Sequence, residues 1–241
     1  MEQFSTWFVD NANAIHAAAV PADARRWAAW VATLRRGDGQ REAEIDAFAR
    51  QPVAGVNPID FLARLDAFID DRSVLVADGG DFVATAAYVI RPRGPLRWLD
   101  PGPFGTLGVG AGFAMGARLC HPDDEVWLLY GDGAAGYSLQ ELDTCVRHGL
   151  PVIAVVGNDA AWAQIARDQI KILEDPVGTT LRRTDYHIVA QGYGAKGIVV
   201  RTPDQIDPAL TEARESARRG VPVLINVWLG ATDFREGSIS M

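Results

Sequence analysis

The sequence describes a mid-sized acidic chain of ordinary globular composition. It has 241 residues, of which 48% are hydrophobic and 22% charged, and its formal net charge is −8 at pH 7. This length suits one large α/β domain with a sizeable core. The acidic balance and the lack of a basic run argue against a nucleic-acid binder. Because no apolar run is long enough for a membrane span and the N-terminus lacks a basic leader, we expect a cytoplasmic protein without a membrane partner.

The first 56 residues are predicted to form a helical arm that carries no chemistry. Apolar residues recur there at helical spacing, namely Trp27, Trp30, Val31 and Leu34. Gly37-Asp38-Gly39 is expected to end this helix, and Glu42–Arg50 to form a second, short helix. The following Pro- and Gly-containing loop marks the start of the main domain. The predicted domains are therefore residues 1–56 and 57–241.

From Asn57 onward, short apolar runs alternate with helical patterns. Asn57 is predicted to cap a helix whose first turn contains Pro58. The predicted strands are Ser73–Ala77, Leu96–Leu99, Val126–Tyr130, Val152–Val156, Ile198–Val200 and Val223–Leu229. The predicted helices are Ile59–Ile69, Ala84–Ile90, one ending at Arg118, Ser138–His148, Ala161–Ile170, Tyr186–Tyr193 and Pro203–Arg219. This alternation predicts an α/β fold, a doubly wound and mainly parallel sheet of about six strands.

The cysteines and histidines give no sign of a metal site. Cys120 and Cys145 lie in apolar helical contexts without CxxC spacing, so they are predicted to be buried thiols in a reducing compartment. His121, His148 and His187 also lack the spacing of metal ligands and are interpreted as structural.

Polar residues follow two neighbouring apolar runs, at the point where each predicted strand ends. Asp132 stands between two glycines after the first run, and Asn158 and Asp159 follow the second. Parallel strands place these loops at the same edge of the sheet, where open α/β sheets bind ligands. Carboxylates and glycine N–H groups suit Mg²⁺ and phosphate. The structural alternative is a tight turn in which Asp132 only caps the next helix.

A second glycine cluster, Gly105 to Gly110, precedes another predicted helix. Glycines at a helix N-terminus favour phosphate, so a nucleotide fingerprint is one interpretation. The cluster does not follow the first strand of the fold, however, and no acidic residue follows about twenty positions later in the expected context. A dinucleotide-binding module is therefore disfavoured.

From Asn57 onward the chain resembles the C-terminal diphosphate-binding (PP) domain of the acetolactate synthase and 2-hydroxyacyl-CoA lyase family of thiamin diphosphate enzymes. The likeness is carried by Val76–Phe82, Trp98–Gly110, Tyr130–Gly133 with Gly157–Asp159, and the tail Thr232–Ile239. The family motif is GDG followed some two dozen residues later by Asn-Asn. This chain departs from it at Asp159, where the family usually has the second Asn.

The resemblance implies a Mg²⁺ site that anchors the cofactor diphosphate. Asp132, Asp159 and the carbonyl of Ala161 would hold the ion, and Asn158 is the alternative ligand if the register shifts by one residue. Backbone N–H groups would face the diphosphate at four positions: Asp81, Phe82, Gly133 and Ala134.

The resemblance also implies two residues at the reactive part of the cofactor. The Gly105 carbonyl would accept a hydrogen bond from the cofactor's 4′-amino group, and Leu107 would hold the cofactor bent. Simple core packing is the alternative for Leu107. Arg235, in the tail, is interpreted either as a contact for an anionic substrate or a CoA phosphate, or as a solvated side chain.

The resemblance implies that this site needs a second component. In the family, a glutamate from a pyrimidine-binding (PYR) domain activates the cofactor, and neither Glu42, Glu44 nor Glu141 suits that role. We therefore expect a hetero-oligomer with a chain that bears a PYR domain. The alternative is that the sequence is a fragment of a longer polypeptide.

The expected function is that of a subunit in a thiamin diphosphate- and Mg²⁺-dependent C–C lyase or carboligase of the 2-hydroxyacyl-CoA lyase type. Its substrate would be a small carbonyl compound or an acyl-CoA. The alternatives are an acetolactate synthase-like or 2-oxoacid decarboxylase component, and a non-catalytic cofactor-binding scaffold subunit.

Overall fold

The computed structural model describes residues 27–238, so predicted features at residues 1–26 and 239–241 lie outside the described part. By its internal contacts the chain divides into two compact units between Ala47 and Phe48. The predicted domain boundary after residue 56 stays a prediction.

Residues 27–49 form one continuous helix, α1. The predicted break at residues 37–39 is therefore wrong, because Gly37 and Gly39 are both helical. A glycine destabilises a helix by about 1 kcal/mol relative to alanine but keeps its N–H donor, so the helix continues where a proline would have ended it. Trp27 and Trp30 contact each other edge to face at 5.8 Å and remain about half exposed.

The second unit is built on six parallel strands that form one sheet. The strands are β1 (Val74–Ala77), β2 (Trp98–Leu99), β3 (Val126–Gly131), β4 (Ile153–Asn158), β5 (Lys196–Val200) and β6 (Val223–Trp228). Their order across the sheet is β2-β1-β3-β4-β6-β5. β1, β3 and β4 are buried at every position, as expected for a parallel sheet that is covered on both faces. The predicted doubly wound α/β fold is confirmed.

Eight further α-helices accompany the sheet within residues 27–238. They are α2 (Pro58–Phe68), α3 (Asp81–Val89), α4 (Gly110–Cys120), α5 (Asp132–Ser138), α6 (Glu141–Arg147), α7 (Ala163–Leu173), α8 (Tyr186–Gly192) and α9 (Ile206–Arg218). The predicted helix Ser138–His148 is wrong in its extent, because α5 already begins inside the GDG motif and a tight turn, closed by Leu142 N–H to Leu139 C=O, separates it from α6. Among residues 27–238, no helix combines the length and apolarity that a membrane crossing requires.

The helices cover both faces of the sheet because each strand directs alternate side chains to opposite faces. In β3, Trp127 and Leu129 join one core cluster, and Leu128 and Tyr130 join the other. The first cluster includes apolar side chains of α2, α3 and α9, and the second includes those of α4, α5, α6 and α8. The small residues Ala111, Ala114, Ala117, Ala134 and Ala135 let α4 and α5 lie close to the second face.

The two cysteines differ in their environment. Cys145 is buried in the second core cluster, as predicted. Cys120 is exposed, so the prediction of a buried thiol is wrong there. It is the last residue of α4 and does not belong to the buried face of this helix, which consists of Gly110, Ala111, Ala114 and Ala117.

The chain changes direction across the sheet at β1. From β1 it continues to β2 on one side and then returns to β3 on the other side of β1. This is a topological switch point, and open α/β sheets bind ligands outside the carboxyl ends of the strands at such a point. The loops after β1 and β3 meet there, since the N–H of Gly131 donates to the carbonyl of Gly79 at 2.7 Å.

Asn57 fixes the start of α2, as predicted. It is only 4% exposed, and its Oδ1 accepts a hydrogen bond from the Ile59 N–H at 2.8 Å. Its Nδ2 donates to the carbonyls of Phe48 at 2.8 Å and Gln51 at 3.0 Å. One amide side chain therefore caps the helix and ties it to the preceding turn.

Asn57→Ala is expected to lower the free energy of unfolding by about 2 to 4 kcal/mol, because it removes the cap and leaves two carbonyl acceptors unsatisfied. Urea denaturation measures this change. Asn57→Asp keeps the capping acceptor and loses both donors, so its free energy of unfolding should lie between those of the wild type and Asn57→Ala. A loss below about 0.5 kcal/mol for the alanine variant would contradict this role.

Candidate functional site

Three acidic loops follow the adjacent strands β1, β3 and β4 at one edge of the sheet. The parallel register pairs Ala77 with Leu129 and Gly131 with Gly157, so the three strands end close to the same level. Each strand is followed directly by an aspartate, and these are Asp78 after β1, Asp132 after β3 and Asp159 after β4.

Asp132 is the first residue of α5 and is 2% exposed. Its Oδ1 accepts a hydrogen bond from the Gly133 N–H, and its Oδ2 from the Ala160 N–H, both at 2.8 Å. Burial raises the pKa of the Asp132 carboxyl to about 6, although these hydrogen bonds act in the opposite direction. The Tyr186 hydroxyl donates to the Asp132 main-chain carbonyl at 2.9 Å. Asp132 thus links three segments of the site.

Asp159 lies in the electrostatic field of Asp132. Burial is the largest cause that raises the pKa of its carboxyl to about 7, and the negative charge of Asp132 is the second. Its Oδ1 accepts a hydrogen bond from the Ala161 N–H at 3.2 Å. Two desolvated carboxylates that repel each other form a site that a divalent cation would stabilise.

Asn158 faces a different environment, although it is adjacent in sequence. It is fully buried, and its Nδ2 donates to the Thr184 carbonyl at 3.0 Å and to the Asn226 Oδ1 at 3.1 Å. Its own Oδ1 is buried and has no hydrogen-bond partner among the described residues. The amide therefore ties the end of β4 to β6 and to the segment before α8.

The loop after Asp159 has an unusual backbone conformation and pairs with the segment around Thr180. Ala160 adopts a φ of 61°, and Ala161 forms an isolated antiparallel bridge with Thr180. This bridge uses the Trp162 N–H and the Ala160 carbonyl, while the Ala161 N–H donates to Asp159. The Ala161 carbonyl therefore takes no part in the hydrogen bonds of the bridge.

Close packing against glycines holds several predicted residues in place. A Cβ atom at Gly133 would lie 2.5 Å from ring carbons of Trp162, and one at Gly79 would collide with the Leu107 side chain. A side chain at Gly157 would likewise collide with Phe82, whose ring is buried. Leu107 also packs on the second core cluster. Ala134, whose N–H was predicted to face the diphosphate, is buried in the first turn of α5.

Asp78 anchors the second glycine loop, a role that the sequence analysis missed. Its carboxylate accepts hydrogen bonds from the Gly108 N–H at 2.9 Å and the Gly110 N–H at 2.7 Å, and burial raises its pKa. The signal was available, since Asp78 is followed by two glycines after a buried strand, as in the GDG motif. Through this anchor Asp78 positions Gly105, whose φ is 57°, and Leu107.

Asp81 begins α3 and forms ion pairs with two arginines. Its Oδ1 lies 2.5 Å from Arg167 Nη2 and 3.8 Å from Arg235 Nε. Arg235 is 7% exposed, so its interpretation as a solvated side chain is wrong. Arg167 carries no motif that would have marked it in the sequence.

The structure brings the predicted residues to one edge of the sheet on four loops. Among residues 27–238, no group of three or more His, Cys, Asp or Glu side chains has the geometry of a metal site. Any cation site would therefore combine the Asp132 and Asp159 carboxylates with a backbone carbonyl and ligand oxygens. Mg²⁺ prefers one or two carboxylates together with substrate phosphates, so the donor set fits this ion.

Comparison with known proteins identifies the domain. Residues 78–227 match the family model for the thiamine pyrophosphate enzyme, C-terminal TPP binding domain. The chain is 53% identical over 219 residues to 2-hydroxyacyl-CoA lyase 2 of Bos taurus, covering 89% of this chain and 35% of the relative. It is 38% identical over 173 residues to a probable acetolactate synthase of Mycobacterium bovis, covering 71% of this chain and 31% of the relative.

A solved structure agrees with these matches. The thiamine diphosphate-dependent 4-hydroxybenzoylformate decarboxylase of Rhodococcus jostii RHA1 superposes with a TM-score of 0.68 at 26% identity, over 76% of this chain and 34% of that chain. The chain thus spans about a third of the length of the relatives it matches. The predicted family resemblance is confirmed: the chain belongs to the thiamine pyrophosphate enzymes and corresponds to their C-terminal cofactor-binding domain.

Proposed function

We propose that the chain anchors the diphosphate of thiamin diphosphate through Mg²⁺ in a C–C lyase or carboligase of the 2-hydroxyacyl-CoA lyase type. The observation that carries this proposal is a pair of carboxylates, the buried Asp132 and the half-buried Asp159, at the switch-point edge of a cofactor-binding domain. Relatives at 53% and 54% identity are named 2-hydroxyacyl-CoA lyase 2, which supports this class. An acetolactate synthase-like component is the second candidate, because relatives at 38% identity carry that name.

The metal would be held by Asp132, Asp159 and the Ala161 carbonyl. The carboxylate oxygens of Asp132 each accept one backbone N–H and retain a second lone pair. The Asp159 carboxyl lies in the electrostatic field of Asp132, whereas the amide group of Asn158 ties β4 to Thr184 and Asn226, which supports Asp159 as the ligand beside Asp132. Asn158 would then orient the end of β4 that carries the ligand.

The remaining residues would bind and orient the two ends of the cofactor. Gly80 precedes α3 without a capping side chain, so the first N–H groups of the helix, at Asp81 and Phe82, are available to a phosphate. Gly133 and Ala134 offer N–H groups at the start of α5. Gly105 and Leu107, held through Asp78, would position the reactive ring. When bound, the cofactor supplies an electron sink for a carbanion.

Activation of the cofactor is assigned to a component outside this chain. The relatives named above are about three times as long, which supports a requirement for further domains, among them one that carries a PYR-type glutamate. We propose a partner chain of this kind in a hetero-oligomer, and a longer polypeptide is the alternative. The substrate, a small carbonyl compound or an acyl-CoA, and the cytoplasmic location stay predictions.

Asp132→Ala is expected to weaken Mg²⁺-dependent binding of thiamin diphosphate by at least about 100-fold, because it removes a carboxylate that cannot be replaced nearby. Isothermal titration with and without Mg²⁺ measures the affinity. Asp159→Asn should retain binding, since the family motif has an amide oxygen at this position. The exposed Asp143→Asn on α6 is the charge-matched control. Wild-type affinity in Asp132→Ala would contradict the proposed metal site.

The purified chain alone is expected to show little C–C lyase turnover. Adding a partner chain that bears a PYR domain should raise the turnover, because the partner supplies the activating glutamate. Steady-state assays of the chain, the partner and their mixture test this. Asp132→Ala should abolish the activity of the mixture if the chain is catalytic. Unchanged activity of that mixture would favour the scaffold alternative, and full turnover by the single chain would contradict the partner requirement.

The raised carboxyl pKa values predict that the metal-free protein loses stability as pH increases. An unfolded Asp titrates near pH 3.9, whereas the pKa values of Asp132 and Asp159 in the folded chain are about 6 and about 7. The folded state therefore holds protons that the unfolded state has released. The associated stability is present below about pH 4 and is lost as pH rises to about 7.

Urea denaturation in EDTA at pH 5 and pH 8 measures this effect. Asp159→Asn should lose less stability between the two pH values than the wild type, since it removes one titrating group and its repulsion. Mg²⁺ with thiamin diphosphate should restore stability at pH 8, because both bind the folded state. Identical pH dependence in the wild type and the variant would contradict the coupling between the two carboxyl groups.

A further inference from the structure

A charged cluster adjoins the proposed diphosphate site. It consists of Asp81 at the start of α3, Arg167 in α7 and Arg235 in the C-terminal segment, residues 231–238. The side chains are 19%, 15% and 8% exposed, respectively. Two guanidinium groups converge on a single carboxylate oxygen, so the cluster carries an excess of positive charge at the N-terminus of a helix.

The C-terminal segment is fixed to the domain on both sides of Arg235. The Phe234 ring lies edge to face against Phe48 at 5.4 Å and against Tyr88 at 6.0 Å. Glu236 pairs with Lys171 of α7 at 3.0 Å. The guanidinium of Arg235 lies over the Tyr88 ring at 5.1 Å. These contacts place the arginine in a fixed, buried position.

Arg235 is incompletely satisfied in this position. Its Nε is buried and has no hydrogen-bond partner among the described residues, since Asp81 Oδ1 lies 3.8 Å away. An unsatisfied buried donor is unfavourable, and an arginine beside a carboxylate that a second arginine already contacts has capacity for another anion. The arrangement favours an anion beside the Arg235 guanidinium.

The same place offers backbone donors. The first internal hydrogen bond of α3 runs from the Ala84 N–H to the Gly80 carbonyl at 3.0 Å, which leaves the N–H groups of Asp81, Phe82 and Val83 without a helical partner. Gly80 has a φ of 105° and no side chain that could cap them. The helix N-terminus and the buried arginines therefore favour an anion at one point.

We propose that Arg167 and Arg235 are binding residues for the cofactor diphosphate, and that the C-terminal segment is consequently part of the cofactor site. This inference rests on the proposed function and deepens it. Asp81 acts as a positioning residue that holds both guanidinium groups beside the start of α3. Bound phosphate oxygens would share the two arginines with Asp81 and satisfy the donor that Arg235 leaves free.

Isothermal titration of Mg²⁺-thiamin diphosphate into purified variants tests the proposal. Arg167→Gln and Arg235→Gln should each weaken binding by about 10- to 100-fold, the range expected for a lost hydrogen bond between charged groups. Lys171→Gln is the matched control, because it removes a cation from the same helix and also a tether of the C-terminal segment. Its affinity should stay within about twofold of wild type.

A second comparison separates phosphate binding from mere neutralisation of Asp81. Asp81→Asn keeps a side-chain oxygen that can hold the guanidinium groups and removes the charge that competes with phosphate, so it should bind at least as tightly as wild type. The double variant Asp81→Asn/Arg235→Gln should bind more weakly than Asp81→Asn. Equal affinities of these two would overturn the proposal, because the arginine would then serve only Asp81. Thermal melts without ligand identify any variant that fails to fold. If Arg235→Gln fails to fold, Arg167→Gln provides the test, because the Arg167 side chain is more exposed.

The two proposals fail in different ways. Absence of Mg²⁺-dependent binding in the wild type would overturn the proposed function and this inference together. Wild-type binding that persists unchanged in both folded arginine variants would overturn this inference alone. If the difference in affinity between the wild type and an arginine variant grows at low salt, where charge interactions are strongest, the result supports a direct contact with the diphosphate.

Discussion

The site depends on a close backbone contact between the loops that follow β1 and β3. The N–H of Gly131 donates to the carbonyl of Gly79 at 2.7 Å, and a Cβ atom at Gly131 would lie 2.8 Å from that carbonyl oxygen. Only glycine permits this approach. Because the contact lies at the switch point of the sheet, it brings Gly80, which precedes α3, beside Gly131, which precedes Asp132.

Charge is distributed around this contact in a way that favours a cation and an anion together. Asp132 and Asp159 are desolvated and repel each other, which disfavours their charged forms until a cation lies between them. Arg167 and Arg235, which both lie beside Asp81, favour an anion. A Mg²⁺-diphosphate pair presents both charges at once. Under the proposed function, the domain would be complementary to both charges of this ion pair.

Local sequence patterns predicted the fold and the acidic loops, but not the contacts between distant segments. Buried strands followed by Asp132 or Asp159 are visible in the sequence because strand, loop and helix are consecutive. The pairing of Arg167 and Arg235 with Asp81 is not visible, since it joins three elements that only the folded sheet brings together. The continuation of helix α1 through Gly37 and Gly39 was also missed, because the low helix propensity of glycine is only a weak preference.

Crystallography with Mn²⁺ in place of Mg²⁺, together with thiamin diphosphate, tests the central claim most directly. Mn²⁺ accepts the same oxygen ligands, and its anomalous scattering locates the ion. One anomalous peak is expected in coordination contact with the carboxylates of Asp132 and Asp159 and with the Ala161 carbonyl. Bound cofactor with the ion at any other position, or with no ion beside Asp132, would contradict it.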